Sequence, residues 1–170
     1  MPERAHIAIG SNLDDRHAYL AAGLAAVAAL PGTRITAVSS VYETPPLGPV
    51  EQPNYLNAVF AVETPLGPED LLAAMLQIET NHLRQRHIHW GPRTLDLDLL
   101  LYGERIVSGP DLTLPHPHMN DRSFVLVPLC GIAPDLHHPI TGQPFSTHLA
   151  ALASAAEAKA SGPLALTEEV

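Results

Sequence analysis

Residues 94–102, T-L-D-L-D-L-L-L-Y, alternate apolar and acidic side chains before the segment becomes wholly apolar. This alternation has the period of a β-strand, in which residues i and i+2 share a face and lie roughly 6.5–7 Å apart. We therefore expect Leu95, Leu97 and Leu99 to be buried on one face, and Asp96 and Asp98 to converge on the other. Neighbouring carboxylates in partly apolar surroundings repel each other unless cations neutralise them. Two Mg²⁺ ions about 3.5–4 Å apart would suit this pair.

The same spacing also fits an ordinary strand with one solvated face, and from the spacing alone both interpretations stay open. The arginines around the acid pair favour a functional role. Arginine binds phosphate oxygens in a bidentate manner, which suits recognition of a small polyanion. Scattered surface arginine is the alternative. The four arginines concerned are Arg84, Arg86, Arg93 and Arg122.

Composition narrows the classes of function. The chain has 170 residues and a formal net charge of −9, which argues against a broad nucleic-acid-binding surface. Its first residues lack a charged and then apolar leader, and no apolar run approaches the length of a membrane span. Cys130 is the only cysteine, so an intrachain disulfide is impossible. We expect a cytoplasmic protein that binds neither nucleic acid nor membranes.

The order of predicted elements indicates the fold class. Strands alternate with helices over short connections, which favours an antiparallel or mixed sheet with packed helices, an α+β fold. Residues 43–49, E-T-P-P-L-G-P, predict a stiff loop, and 84–90 predict a mobile loop. We assign residues 1–150 to a single domain and 151–170 to a tail that is helical or frayed. The predicted strands are 6–10, 33–42, 54–63, the acid-pair segment and 105–107, and the predicted helices are 14–30, 68–82 and 123–131.

Four motifs occur in one order: T-P-P-L-G-P at 44–49, N-Y-L-N at 54–57, W-G-P-R-T-L-D-L-D at 90–98 and L-P-H at 114–116. In these motifs, and in I-A-I-G-S-N at 7–12, the chain resembles the 6-hydroxymethyl-7,8-dihydropterin pyrophosphokinases of folate biosynthesis. The resemblance spans roughly residues 5–150. It implies a ferredoxin-like antiparallel sheet with packed helices and mobile active-site loops. It also implies an enzyme that transfers pyrophosphate from ATP to a pterin, and we expect this enzyme to be a monomer.

The resemblance assigns roles to particular residues. Asp96 and Asp98 would be ligands of two Mg²⁺ ions, and they would form the catalytic group together with Arg84 and Arg93. The residues implied in ATP binding are Arg84, Arg86, Trp90, Arg93, Leu99, Thr113, His116 and Arg122. Those implied in pterin binding are Thr44, Pro45, Leu47, Gly48, Tyr55, Asn57, Trp90, Asp96 and Phe124. Aromatic faces with a few polar groups suit a flat heterocycle.

Some positions depart from the family pattern. Leu83 stands where the family usually has glycine, His87 where a permanently basic residue is common, and the segment from Glu79 to Trp90 is one residue shorter than in some relatives. These differences concern loop closure, and therefore rate, more than reaction type. Glu79 itself is either a solvated helix residue or one that reaches the nucleotide.

Two other functions have to be weighed. The ten histidines include three close pairs, which could indicate a zinc hydrolase, although no H-E-x-x-H pattern is present. A non-catalytic ferredoxin-like module that senses a pterin or nucleotide is the other. Such a sensor would not need the acid pair.

Overall fold

The computed structural model describes residues 2–45, 51–82, 94–152 and 159–163. Most of the two predicted active-site loops, 43–49 and 84–90, lies outside these residues. The strands are β1 (Glu3–Ser11), β2 (Arg34–Val38), β3 (Ser40–Thr44), β4 (Tyr55–Thr64), β5 (Asp96–Tyr102), β6 (Val107–Ser108), β7 (Thr113–Leu114) and β8 (Lys159–Pro163). The helices are α1 (Arg16–Ala28), α2 (Pro68–Asn81), α3 (Ser123–Ile132) and α4 (Phe145–Ala150), with a 3₁₀ turn at Met119–Asp121.

Six strands form one antiparallel sheet. The order is β5-β1-β4-β3-β8, and β2 also pairs with β4, while β6 and β7 form a separate hairpin. The succession β1-α1-β2/β3-β4-α2-β5, with β1 and β4 central, is the ferredoxin-like arrangement. The predicted α+β class is therefore confirmed.

The sheet is covered on both faces. Helices α1 and α2 pack on one face, where Ile7, Ile9 and Leu97 belong to the larger apolar core. Helices α3 and α4 pack on the other face over a smaller core that includes Val59 and Leu100. Because successive residues of a strand face opposite sides, β5 contributes to both cores.

The helix starts follow local sequence signals. Asp15 precedes α1, and its side chain accepts a hydrogen bond from the Ala18 amide at 3.1 Å. Pro68 opens α2 and is followed by Glu69 and Asp70. Acidic side chains are stabilised in the first turn by its exposed amide groups. In the described part of the chain, no helix is long and apolar enough to cross a membrane.

The predicted strand 33–42 is divided into β2 and β3 at Ser39. The Ser39 hydroxyl accepts a hydrogen bond from the Val59 amide at 2.9 Å, and the Ser39 amide donates to the Val59 carbonyl. This local arrangement interrupts the regular ladder while keeping both halves on β4. Strand β6 begins two residues later than predicted, and helix α4 was not predicted.

Residues 159–163 differ from the expected helical or frayed tail, because they form β8. This strand pairs with β3, with Val41 opposite Gly162 and Tyr42 opposite Ala160. The alanine-rich composition of residues 150–158 favours helix, whereas residues 159–163 contain glycine and proline and pair with the edge that β3 offers. The domain boundary at residue 150 stays a prediction.

Candidate active site

The strand register places a row of residues across one face of the sheet. Asp96 of β5 lies opposite Gly10 of β1, and Gly10 lies opposite Asn57 of β4. Directly paired residues share a face, so Asp96 and Asn57 project to the same side. Asp98 lies opposite Ala8, which packs in the core beneath α3. Both carboxylates are therefore on the α3 side of the sheet.

The predicted alternation along β5 is confirmed. Leu95, Leu97 and Leu99 are 0%, 4% and 4% exposed and belong to the larger core. Asp96 and Asp98 are half-buried on the opposite face. The structure therefore fixes the backbone of this strand by apolar packing on one side and leaves two carboxylates accessible on the other.

Two cationic or polar side chains approach Asp98. Arg122 Nη1 lies 4.0 Å from Asp98 Oδ2, and His116 Nε2 lies 3.9 Å from Asp98 Oδ1. The His116 amide donates to the Leu100 carbonyl at 2.9 Å, which attaches this segment to β5. Arg122 immediately precedes α3. The structure therefore brings Asp98 together with His116 and Arg122, which come well after β5 in the chain.

His116 is neutral near pH 7. Burial lowers its pKa to about 4, and the positive charge of Arg122 acts in the same direction, while Asp96 opposes it. Its Nδ1 accepts a hydrogen bond from the His118 amide at 3.2 Å, so the proton of the neutral ring resides on Nε2. His116 therefore presents an N–H donor toward the acid pair rather than a charge. The ring thus caps this turn through Nδ1, and its role in ATP binding stays a prediction.

Polar and aromatic residues border the other end of the row. The Asn57 amide donates to Thr44 Oγ1 at 2.6 Å, and both side chains are buried. Tyr55 lies two residues before Asn57 on β4 and is half-buried. Phe124 is half-buried at the start of α3, with the Arg122 guanidinium 5.7 Å from its ring centroid. This edge combines aromatic surface with a fixed amide.

Asn12 and Arg16 hold the chain on both sides of the proline loop. The Asn12 amide donates to Gln52 Oε1 at 2.8 Å and to the Pro53 carbonyl at 3.0 Å. Arg16 Nη1 donates to Glu43 Oε1 at 3.1 Å and to the Asn54 carbonyl at 3.0 Å. Neither was predicted as a site residue, although Asn12 belongs to the I-A-I-G-S-N motif. That motif does not reveal partners 27 to 41 residues away.

Gly10 was also missed as a site residue. A Cβ atom on Gly10 would lie 2.8 Å from Asn57 Oδ1, closer than side chains tolerate. The Asn57 amide cannot turn away easily, because it is bonded to Thr44. In the sequence, Gly10 stands out only as part of the I-A-I-G-S-N motif, which does not show why glycine is needed there. The need for glycine arises from the register, which places this position between Asp96 and Asn57.

Known proteins are similar to this chain in sequence and fold. The profile of the family "7,8-dihydro-6-hydroxymethylpterin-pyrophosphokinase (HPPK)" matches residues 6–134. A 2-amino-4-hydroxy-6-hydroxymethyldihydropteridine pyrophosphokinase of Pseudomonas aeruginosa is 49% identical over 139 residues, covering 82% of this chain and 86% of the relative. The Bacillus subtilis protein of the same name is 41% identical over 137 residues, covering 81% and 82%. The chain belongs to the HPPK family.

The fold agrees with solved structures. A crystal structure of Plasmodium falciparum HPPK-DHPS with pterin and p-hydroxybenzoate superposes with a TM-score of 0.71 at 14% sequence identity. The match covers 88% of this chain and 43% of that longer chain. At this identity the likeness establishes the fold alone, in agreement with the ferredoxin-like strand order.

Several HPPK site residues predicted from the sequence lie outside the described residues: Leu47, Gly48, Arg84, Arg86, Trp90 and Arg93, together with Leu83 and His87. Their roles stay predictions. Among the described ones, Pro45 and Thr113 are exposed. The Leu99 side chain is in the core, so only its backbone is available for the predicted nucleotide contact.

Of the two expectations for Glu79, the solvated helix residue is wrong, whereas contact with the nucleotide stays a prediction. It is 2% exposed rather than solvated, and its Oε2 accepts a hydrogen bond from the Leu97 amide at 2.8 Å. Its carboxyl group therefore lies against β5. Burial of a helix residue depends on tertiary packing, which the local pattern does not report.

The acid pair has the chemistry of a magnesium site. Mg²⁺ prefers hard oxygen ligands, and it is commonly held by one or two carboxylates together with substrate phosphates and water. Asp96 and Asp98 provide such oxygens on an accessible face. Among the described residues, no group of three or more His, Cys, Asp or Glu side chains could hold a metal ion. The donor set thus fits Mg²⁺ completed by a phosphate ligand, and the described histidines provide no three-ligand zinc site.

Proposed function

We propose that the protein transfers a pyrophosphoryl group from ATP to 6-hydroxymethyl-7,8-dihydropterin and releases AMP, as a step of folate biosynthesis. The observation that carries this proposal is the half-buried acid pair with His116 and Arg122 at its side, in a chain of the HPPK family. The relatives named above carry this activity in their names. We also propose that the protein is a cytoplasmic monomer.

Asp96 and Asp98 would hold two Mg²⁺ ions in this proposal. When bound, such ions neutralise phosphate oxygens and align the attacking and leaving groups. The protein's contribution is to keep both carboxylates on one face with a rigid backbone behind them. The apolar packing of Leu95, Leu97 and Leu99 provides that rigidity.

Arg122 and His116 would bind the triphosphate. The Arg122 guanidinium offers a permanent charge and a planar set of donors for phosphate oxygens. Neutral His116 offers its Nε2–H, which donates without adding a charge. Both lie about 4 Å from Asp98, so a phosphate group bound there would be close to the acid pair. Leu99 and Thr113 are proposed to contact the nucleotide, as are Arg84, Arg86, Trp90 and Arg93.

The pterin would bind at the Asn57 end of the row. Tyr55 and Phe124 offer aromatic faces for the ring, and Asn57 offers an amide whose orientation Thr44 fixes. Asp96, which is in the same row as Asn57, would belong both to the pterin site and to the acid pair. Pro45, Leu47, Gly48 and Trp90 are proposed to complete the pterin site.

The reaction exchanges one phosphorus–oxygen bond for another. The hydroxyl oxygen of the pterin attacks the β-phosphorus of ATP, and the bond from that phosphorus to the α,β-bridging oxygen breaks. AMP leaves with the bridging oxygen, and the hydroxyl proton passes to solvent. Phosphoryl-type transfer depends mainly on positioning and charge neutralisation, which this site is built to provide.

The test is to incubate the protein with Mg²⁺ and ATP, with and without 6-hydroxymethyl-7,8-dihydropterin, and to separate the nucleotides. We expect AMP and the pterin diphosphate in equal amounts, and only when the pterin is present. Formation of ADP, or of AMP without pterin, would contradict the proposed reaction. Pterin binding without any turnover would instead indicate a non-catalytic binding module.

A further inference from the structure

A buried carboxyl group lies directly behind the acid pair. Glu79 is near the end of α2 and is 2% exposed. It is a carboxylic acid on the same buried side of the helix as Met75 and Ile78, which belong to the apolar core. Burial of a carboxyl group is unfavourable unless hydrogen bonds compensate for lost hydration. An apolar side chain would fill this position at lower cost. A specific polar contact therefore explains the glutamate better than packing does.

One such contact is made to the acid-pair strand. Glu79 Oε2 accepts the Leu97 amide at 2.8 Å, and Leu97 is the residue between Asp96 and Asp98. Strand β5 is at the edge of the sheet and pairs with β1 on its other side. An outward amide of an edge strand needs an acceptor from outside the sheet. Glu79 provides that acceptor at the point where the two aspartates project.

A second contact joins the same two elements. Thr94 is 2% exposed, and its hydroxyl donates to the His82 carbonyl at 2.8 Å. His82 follows α2, and Thr94 precedes β5 by two residues. The end of α2 is thus attached to the beginning of β5 at two points. Farther along the acid-pair strand, pairing with β1, apolar packing and the hydrogen bond from the His116 amide to the Leu100 carbonyl hold the backbone.

We propose that Glu79 is a positioning residue for the acid pair. By holding the Leu97 amide, it fixes the backbone between Asp96 and Asp98 and so sets how the two carboxylates are presented. This inference rests on the proposed function, because it assumes that the pair serves the transfer reaction. It assigns to Glu79 a task within the protein, distinct from contact with the nucleotide.

The test compares Glu79→Ala, which removes the acceptor, with Glu79→Gln, which retains an acceptor oxygen. Hydrogen exchange of the Leu97 amide is measured by NMR in the ligand-free protein. We expect exchange about tenfold faster in Glu79→Ala and close to wild type in Glu79→Gln, since protection depends on the acceptor. Glu69→Ala removes the same charge from an exposed position of the same helix and is the matched control.

Kinetics then separates positioning from mere support of the fold. In Glu79→Ala we expect kcat to fall about tenfold and more Mg²⁺ to be needed for half-maximal rate, with the pterin KM unchanged, because small displacements of catalytic groups are costly. Glu79→Gln should recover most of kcat. If Glu79→Ala does not fold, Glu79→Met replaces it, because methionine fills the space without an oxygen acceptor.

Three results would overturn the proposal. Unchanged exchange of the Leu97 amide in Glu79→Ala would show that Glu79 does not protect this amide. Faster exchange with unchanged kcat and unchanged Mg²⁺ dependence would show that the contact supports only the fold. An increased ATP KM in both variants with unchanged exchange would identify Glu79 as a nucleotide ligand. Failure of the proposed function is distinguishable, since it appears as absence of AMP in the wild-type protein, whereas the exchange experiment needs no turnover.

Discussion

The two faces of β5 differ although they belong to one short strand. On the face toward α1 and α2, leucine side chains are almost completely buried in the larger core. On the face toward α3, Asp96 and Asp98 stay half-buried, with Arg122 beside Asp98. Apolar packing stabilises the fold roughly in proportion to the area buried, whereas accessible carboxylates contribute little. The comparison indicates that, over residues 95–99, one face serves stability, and we propose that the other serves chemistry.

The largest expected effect is on the open face. Replacing Asp96 or Asp98 by alanine should lower the rate of AMP formation about 10³-fold, because each carboxylate is a proposed metal ligand. The free energy of unfolding should change by less than about 0.5 kcal/mol. Rates of AMP formation and urea unfolding curves measure the two quantities. Asp135→Ala, at an exposed turn, is the control for loss of a negative charge. A stable variant that retained its rate would refute the catalytic assignment of that residue.

The covered face should behave in the opposite way. Leu97→Ala should reduce the free energy of unfolding by about 3 kcal/mol, because it leaves a cavity in the larger core. The rate per folded molecule should fall far less than in the aspartate variants. Urea unfolding followed by circular dichroism checks the first expectation. Ile106→Ala, at a residue that is 60% exposed, should change stability little. Equal effects at positions 97 and 106 would contradict the comparison.

His6 shows that the α3 face of the sheet is buried farther along β1, away from the acid pair. It occupies the same alternating set of β1 positions as Ala8 and Gly10, yet it is 5% exposed. Burial, reinforced by the charge of Arg4, lowers its pKa from 6.5 to about 4. Between these values the unfolded chain binds more protons, so stability decreases as the pH falls from 7 toward 4. At pH 5 the lowered pKa of His6 reduces the free energy of unfolding by about 2 kcal/mol relative to neutral pH.

Replacing His6 by glutamine should remove this part of the pH dependence. Urea unfolding at pH 7 and pH 5 measures the difference, with exposed His137→Gln as the control. If His6→Gln loses as much stability between pH 7 and pH 5 as the wild type does, His6 is not the group responsible.

The smallest expected effect concerns Gly10, between the acid pair and Asn57. Gly10→Ala should displace the Asn57 amide and raise the dissociation constant of the pterin about tenfold, since overpacking typically costs 1–3 kcal/mol. ATP affinity should change much less. Isothermal titration calorimetry measures both constants. The control is Gly67→Ala, because a Cβ atom there would meet nothing within 4 Å. An equal loss of affinity for pterin and for ATP would show a general disturbance of the sheet.

Local patterns predicted the parts of the fold that local physics determines. The alternation of β5 predicted which side chains are buried, and Pro68 with two acidic residues predicted the start of α2. The family resemblance, carried by motifs in order, indicated the α+β class and the residues around Asp98. Those predictions needed no knowledge of distant partners.

The parts that were missed depend on tertiary contacts. The break at Ser39 arises from bonds to Val59, and β8 forms because β3 provides an edge. The burial of Glu79 and the need for glycine at position 10 follow from the placement of α2 and β4 beside the acid-pair row. None of these relations has a period or spacing along the chain, so sequence patterns could not reveal them.

The most direct test of the division between the two faces of β5 is a binding measurement on the double variant Asp96→Asn and Asp98→Asn. Calorimetric titration with Mg²⁺ and α,β-methylene-ATP avoids turnover, because the bond that would break is replaced by carbon. We predict that binding is lost while the urea midpoint matches that of the wild type. Binding of wild-type strength, or a collapse of the midpoint, would contradict the assignment of chemistry to this face and stability to the other.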